Sequence, residues 1–478
     1  MAPRLFRQII RPPEDLTTGS ILRNVVILAL PIAITQSFTV LFHFVDTVFI
    51  GHLPYSRDAL AAVTFSGHVM FFINTMLIGL TIATTAMVAR FVGEKEPDKA
   101  ALTVFNSFVM CLVLSVVLAL IGILLSARVL RLLGAQGNVL RLGVEYLEIL
   151  MVSSVAMIML FLIGSILQGA GDGITPMWLF GGANVVNLIL DPIFIYDWGL
   201  GMGVKGAALA TVIGRGIFCL IGIFVLSRGL SRVHVQPKHF KLNLQAMWQL
   251  IAIGGPSAFQ MMIRSLSGLV LIMIVGKGFG ATAVAALGIG GRTVMLALMP
   301  GFGIGRASGA LAGQNLGARK PDRAVVTIWT SVAIYGVFMG VGMGLGLGFP
   351  RTFMRIFTPN QEVIAMGAVY LRYAASVYLL IGLAIVLSKS MEGTGYTLVP
   401  MGLTAVTLFG ITIPLALILP QTFGTGIQGI WAAFVVGNVF HAVGAFVVFR
   451  LGKWKKKRIV LDYREVAIPP QESVAAPE

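Results

Sequence analysis

Hydrophobic residues run through this chain in broad blocks, each interrupted by a short polar or basic stretch. A helix needs about 20 apolar residues to cross ~30 Å of hydrocarbon, and blocks of that length recur twelve times. They lie near 22–51, 59–90, 100–126, 139–168, 175–197, 204–227, 245–276, 283–316, 323–349, 363–391, 398–419 and 427–450. The pattern predicts an all-α integral membrane protein with twelve transmembrane helices. No connection is long enough for a soluble domain; the longest, Ser227 to Leu244, is a basic linker. The first block is long and lacks a small-residue cleavage site, which predicts an uncleaved first span.

The blocks fall into two related sets. Gly93-Glu94-Lys95-Glu96-Pro97-Asp98-Lys99-Ala100 returns as Gly317-Ala318-Arg319-Lys320-Pro321-Asp322-Arg323-Ala324, and Gln168-Gly169-Ala170-Gly171 returns as Glu392-Gly393-Thr394-Gly395. Both echoes have an offset of about 224 residues, as expected of a secondary transporter built by duplication. Six spans is an even number, so the halves are parallel repeats forming two six-helix pseudo-symmetric bundles. The expected organisation is a cytoplasmic N-terminal segment (1–20), a six-helix lobe (21–228), a cytoplasmic linker (229–244), a second lobe (245–451) and a cytoplasmic tail (452–478), with a Pro/Ala/Glu-rich, disordered end.

Composition agrees with the pattern. With 57% hydrophobic residues, 11% charged residues and a mean hydropathy of +0.91, the apolar surface has to be covered by a bilayer. The net charge of +16 is mainly a topology signal. Placing both termini in the cytoplasm assigns about 22 Lys and Arg to that side against about 9 outside. Contact with anionic lipid is expected, a nucleic-acid partner is not, and a monomer in a bacterial inner membrane is the expected state. Cys111 and Cys219 lie in apolar runs and read as small core residues. No phosphate-binding G-x-x-x-x-G-K-[ST] loop, metal-type His spacing or paired nucleophile and base occurs, so the chain reads as neither an ATPase nor an enzyme. No cofactor is expected; the energy would come from an ion gradient of H⁺ or Na⁺.

Polar residues inside the spans carry the candidate chemistry. Asp46, Asn187, Asp191 and Thr211 all fall roughly 8–10 Å below the outer boundary at 1.5 Å per residue. Four oxygen-bearing side chains at one depth suit a hard cation or a shared proton. Pro192 has no N–H, which frees the Leu188 carbonyl beside Asp191. The second half lacks these acids: Leu271 stands near where Asp46 would be and Leu415 near Asp191. It is basic instead, with Arg264, Arg292 and Arg306 at membrane depth. Gln36, Gln260, Met261, Arg264 and Met295 are the candidate substrate-cavity residues, methionine being able to re-pack around varied ligands. Pro31 and Pro256, at matched places in the first and seventh spans, are candidate hinges. Gly336, Gly340, Gly344 and Gly348 form a smooth stripe on the ninth span where another helix is expected to approach.

The segments Leu30-Pro31, Gln36, Val45-Asp46-Thr47-Val48-Phe49-Ile50-Gly51-His52-Leu53, Leu60-Ala61-Ala62, Gln168-Gly169-Ala170-Gly171-Asp172, Asn187-Leu188-Ile189-Leu190-Asp191-Pro192 and Gly206-Ala207-Ala208-Leu209-Ala210-Thr211 resemble the MATE family of multidrug and toxic compound extrusion antiporters. The resemblance covers nearly the whole membrane region. It implies export of amphipathic compounds or drugs driven by inward flow of H⁺ or Na⁺, with Asp46, Asn187, Asp191 and Thr211 matching the cation site of the N-terminal lobe. Arg264 stands in the seventh span where one large branch carries an acid, so the chain looks closer to the DinF-like branch. The alternative within the same superfamily is a flippase for lipids or lipid-linked oligosaccharides, which would hold a phosphate with membrane arginines.

Overall fold

A computed structural model describes residues 15–461, apart from the side chains of 39–47, 71, 72, 74 and 76. Within hydrocarbon a backbone must satisfy its own hydrogen bonds, and the described residues are accordingly helical, with no strand among them. The first half contains Ile21–Gly51, Ser56–Gly93, Pro97–Leu132, the pair Gly137–Val152 and Ser154–Gly169, Ile174–Ile195 and Val204–Ser227. In the second half, Leu244–Gly317 comprises two helices meeting at Gly280, whose φ of 77° breaks the helical path. Pro321–Gly348, the short Pro350–Phe357, the pair Gln361–Ser376 and Tyr378–Gly393, the run from Leu398 through a π-helical segment at Val406–Thr412 to Thr422, and Ile427–Arg450 complete it. Taking each pair as one passage and the long stretch as two gives the twelve spans expected from the apolar blocks.

The fourth and tenth spans depart from that expectation, because neither is a continuous rod. They bend by 51° and 55° at Ser153 and Val377, where the backbone leaves helical values. The two bends sit at matched positions of the repeat. By contrast the helices run on through Pro31 and Pro256. The duplication reaches the backbone dihedrals: Lys95 and Arg319, matched residues of the echoed loop, both adopt φ near +60° (59° and 58°), and Gly171 and Gly395 likewise share positive φ.

Each half buries its own core. Leu147, Ile163 and Leu167 belong to the first, and Tyr335, Tyr370 and Trp431 to the second. The chain ends cross between them. Leu16, Val25 and Leu28, at the start of the first span, pack into the second-half core, while Ile459 and Leu461 pack into the first. Lys320 Nζ donates to the Thr17 carbonyl (2.9 Å), and Arg323 donates to the carbonyls of Thr18 and Gly19 (2.7 and 2.8 Å), fixing the N-terminal strap to the other half. The linker is docked on the third span: Lys238 and His239 both reach Asp98 (2.8 and 2.7 Å), and Asn106 bonds the backbone of Lys241 and Asn243.

The two halves touch backbone to backbone at the end of the bundle carrying these straps, through Gly93 against Gln314 and Gly317 against Arg90, and again farther along the spans, through Gly79 against Gly254 and Gly303 against Ala33. Gln314 also donates to the Gly169 carbonyl (2.8 Å). The glycine stripe of the ninth span plays no such part. A side-chain carbon at Gly336, Gly340, Gly344 or Gly348 would meet nothing within 4 Å. The helix instead approaches the tenth span through Gly346, where a Cβ would lie 2.8 Å from the Ala375 side chain; Gly346 is two residues from its neighbours in the predicted stripe and so on the opposite side of the helix.

Candidate transport site

Two polar regions sit at membrane depth. In the first half, Asn187 Nδ2 donates to Asp191 Oδ1 across one helical turn (3.1 Å), and Asp191 is fully buried. Thr211, also buried, lies on the helix packed against them and donates to the Ala207 carbonyl (2.9 Å). That packing is close because Gly214, one turn beyond Thr211, lets the backbone of Asn187 approach. The first span is tied to the same helix by Asn184, which donates to the Phe38 carbonyl (2.7 Å), and by Tyr196, whose hydroxyl donates to the Phe49 carbonyl (3.1 Å). The side chain of Asp46 lies outside the described residues. The structure therefore brings Asn187 and Asp191 together, with Thr211 on the facing helix.

The second region is a cavity of about 240 Å³ between the halves. Of the candidate cavity residues, Gln36, Met261 and Met295 line it. Arg264 lies one turn beyond Met261 on the same helix and is solvent-accessible. Gln260 is not in the wall. It is buried on another face of its helix, where its amide donates to Thr404 Oγ1 (2.9 Å) and the Pro400 carbonyl (3.4 Å), because a glutamine inside a helical bundle is held where acceptors are.

The cavity lies where the second and fourth spans face their counterparts, the eighth and tenth. Matched residues of the two halves meet there: Ile78 with Phe302, Ile82 with Arg306, and Gln168 with Glu392. Lys389, matched to Ser165, completes the wall and donates to Glu392 Oε2 at 2.6 Å. Glu392 is 1% exposed, and its Oε1 has no hydrogen-bond partner among the described residues. Neither Arg264 nor Arg306 makes a direct ion pair or side-chain hydrogen bond among the described residues, and Arg306 lines the same wall as Glu392. Lys389 and Glu392 are the site residues that sequence reasoning missed. The signal was present in the repeat, where Gln168 and Ser165 become charged residues at i, i+3 spacing.

The MatE family model matches this chain twice, over residues 31–193 and 256–418. The chain belongs to the MATE family. Among its relatives, the probable multidrug resistance protein YpnP of Bacillus subtilis is 27% identical over 446 residues, covering 93% of this chain and 98% of YpnP. An FAD transporter of Shewanella oneidensis is 23% identical over 413 residues, covering 85% of this chain and 89% of that protein. The fold matches an outward-facing MATE family transporter of the MOP superfamily with a TM-score of 0.84 at 23% identity, over 94% of this chain and 98% of the other. This MATE protein is thus an integral membrane transporter and not an enzyme.

Proposed function

We propose that this MATE protein exports amphipathic organic compounds from the cytoplasm in exchange for H⁺ or Na⁺, with Asp46, Asn187, Asp191 and Thr211 as the coupling site. The observation that carries the proposal is the buried Asn187–Asp191 pair, set in the first half and apart from the cavity between the halves. A carboxylate at that depth costs several kcal/mol unless a cation, a proton or a partner compensates it, so its occupancy by a cation can be linked to which way the lobes face. The cavity supplies the second requirement, a place for cargo at the junction of the repeats. Backbone contacts at the strap-bearing end, Gly93 against Gln314 and Gly317 against Arg90, support closure of that end, and the Lys and Arg distribution supports its being the cytoplasmic one. Relatives named for multidrug resistance support an organic cargo, and one named as an FAD transporter supports a cargo that is not a cation.

The test is gradient-driven transport in proteoliposomes with pH and Na⁺ gradients imposed separately. Asp46→Asn and Asp191→Asn are each expected to abolish transport while insertion and thermal stability are kept, since removing a membrane carboxylate relieves a burial cost. Either variant exporting at near wild-type rates would remove that residue from the coupling site.

A further inference from the structure

The two faces of the cavity differ in charge although they descend from one duplicated unit. At matched positions the first half offers Ile82 and Gln168, and the second offers Arg306 and Glu392, with Lys389 in place of Ser165. The neutral set shows that the fold does not need charge there. A purely structural ion pair would be balanced, and Lys389 with Glu392 at 2.6 Å is already such a pair. Arg306, in the same wall, is surplus: two cations and one carboxylate line the cavity, an excess of one positive charge, and Arg264 adds a further cation one turn beyond the lining residue Met261. Uncompensated charge in a low-dielectric wall is costly, so it is retained where something of opposite sign visits. Guanidinium forks match carboxylate and phosphate oxygens in pairs, which a neutral or cationic cargo cannot exploit.

We propose that the second-half wall of this cavity is a binding site for the anionic group, carboxylate or phosphate, of an amphipathic cargo. The proposal names the cargo class for the export function above and rests on it. Arg306 holds the anion directly. Lys389 exchanges Glu392 for it, and Arg264, one turn farther along, draws it in. Gln36 and Gln168 on the opposite wall receive the uncharged polar parts, while Ile78, Ile82 and Phe302 cover the apolar body. Glu392 acts as the resident counter-charge that cargo must displace, which keeps the empty site from trapping small anions.

Fluorescein and rhodamine 6G share a three-ring scaffold but carry opposite charge, and 4-methylumbelliferyl phosphate paired with its parent phenol isolates a phosphate. Binding is measured on the purified protein by fluorescence, and movement of the same probes in proteoliposomes. Wild type is expected to favour fluorescein over rhodamine 6G, and the phosphate ester over the phenol if phosphate is also accepted. Arg306→Ile, the residue of the other half, should weaken the anionic probes by about thirtyfold with rhodamine 6G unchanged or tighter. Arg306→Lys should keep most of the affinity, and Glu392→Gln should tighten anion binding by freeing Lys389. Tighter binding of rhodamine 6G than fluorescein by wild type, or weaker fluorescein binding by Glu392→Gln, would overturn the proposal. So would an equal effect of Arg306→Ile on both dyes at unchanged melting temperature; if that variant does not fold, Arg306→Lys and Glu392→Gln decide. Charge-selective binding without gradient-driven movement would leave the site standing and overturn the export function. Gradient-driven movement of rhodamine 6G with no anion binding would do the reverse.

Discussion

Replacing Gly93 by alanine tests whether the two halves meet as described. Gly93 closes the second span, and a Cβ there would lie 2.0 Å from the Gln314 carbonyl oxygen and 2.7 Å from its carbon. The matched Gly317 would place a Cβ 2.2 Å from the Arg90 carbonyl oxygen. Backbone atoms cannot swing aside as a flexible side chain can, so the methyl group forces the halves apart. Overpacking of this kind costs about 1–3 kcal/mol. Only the state with this end closed bears that cost, whereas in the opened state alanine is the better helix former. The ratio of open to closed at this end should therefore rise about 5- to 150-fold. Spin labels on the exposed positions 96 and 322, one in each half, report the opening as a longer-distance population. Gly336→Ala, where a Cβ meets nothing within 4 Å, is the control expected to change nothing. An unchanged distance distribution in well-folded Gly93→Ala protein would refute the backbone-to-backbone contact and the closed end built on it.

Two further outcomes follow from individual contacts. Gln260→Leu removes the bonds to Thr404 and Pro400 and should cost about 1–3 kcal/mol, seen as a lower melting temperature, while the dye preference of the surviving protein stays that of wild type. In the docked linker, hydrogen bonds from Lys238 and then His239 hold the Asp98 carboxyl below its usual range. A depressed carboxylate stabilises the docked form above the unfolded pKa of about 3.9 and loses that contribution as pH falls below it. A fluorophore on position 234 should become more mobile as pH drops below about 4, and Asp98→Asn should make that mobility high and independent of pH over the same interval.

Much of the architecture was legible because a bilayer imposes it locally. The length of an apolar block does not depend on its neighbours, so the twelve spans emerged from counting, and the echo of Gly93–Ala100 in Gly317–Ala324 exposed the duplication down to the matched left-handed residues Lys95 and Arg319. Asn187 and Asp191 were paired by the helical repeat alone. The bends at Ser153 and Val377 were invisible, since neither residue is a helix breaker. Gly336 through Gly348 misled because small residues permit a close approach without saying which side of the helix has a neighbour.

The sequence by itself determined the solvent, the number of crossings, the repeat and the depth of each polar residue, all of which follow from one-dimensional spacing along a helix of fixed rise. Direction around the helix axis was another matter. Whether Gln260 faces the cavity or the eleventh span, and whether Arg306 meets Lys389 and Glu392 from a helix some 80 residues away, depends on how spans distant in sequence pack together. In a membrane every face of a span can be apolar, so periodicity no longer marks the inward side, and only the tertiary structure could show that the charges lost from the symmetry of the repeat converge on one wall.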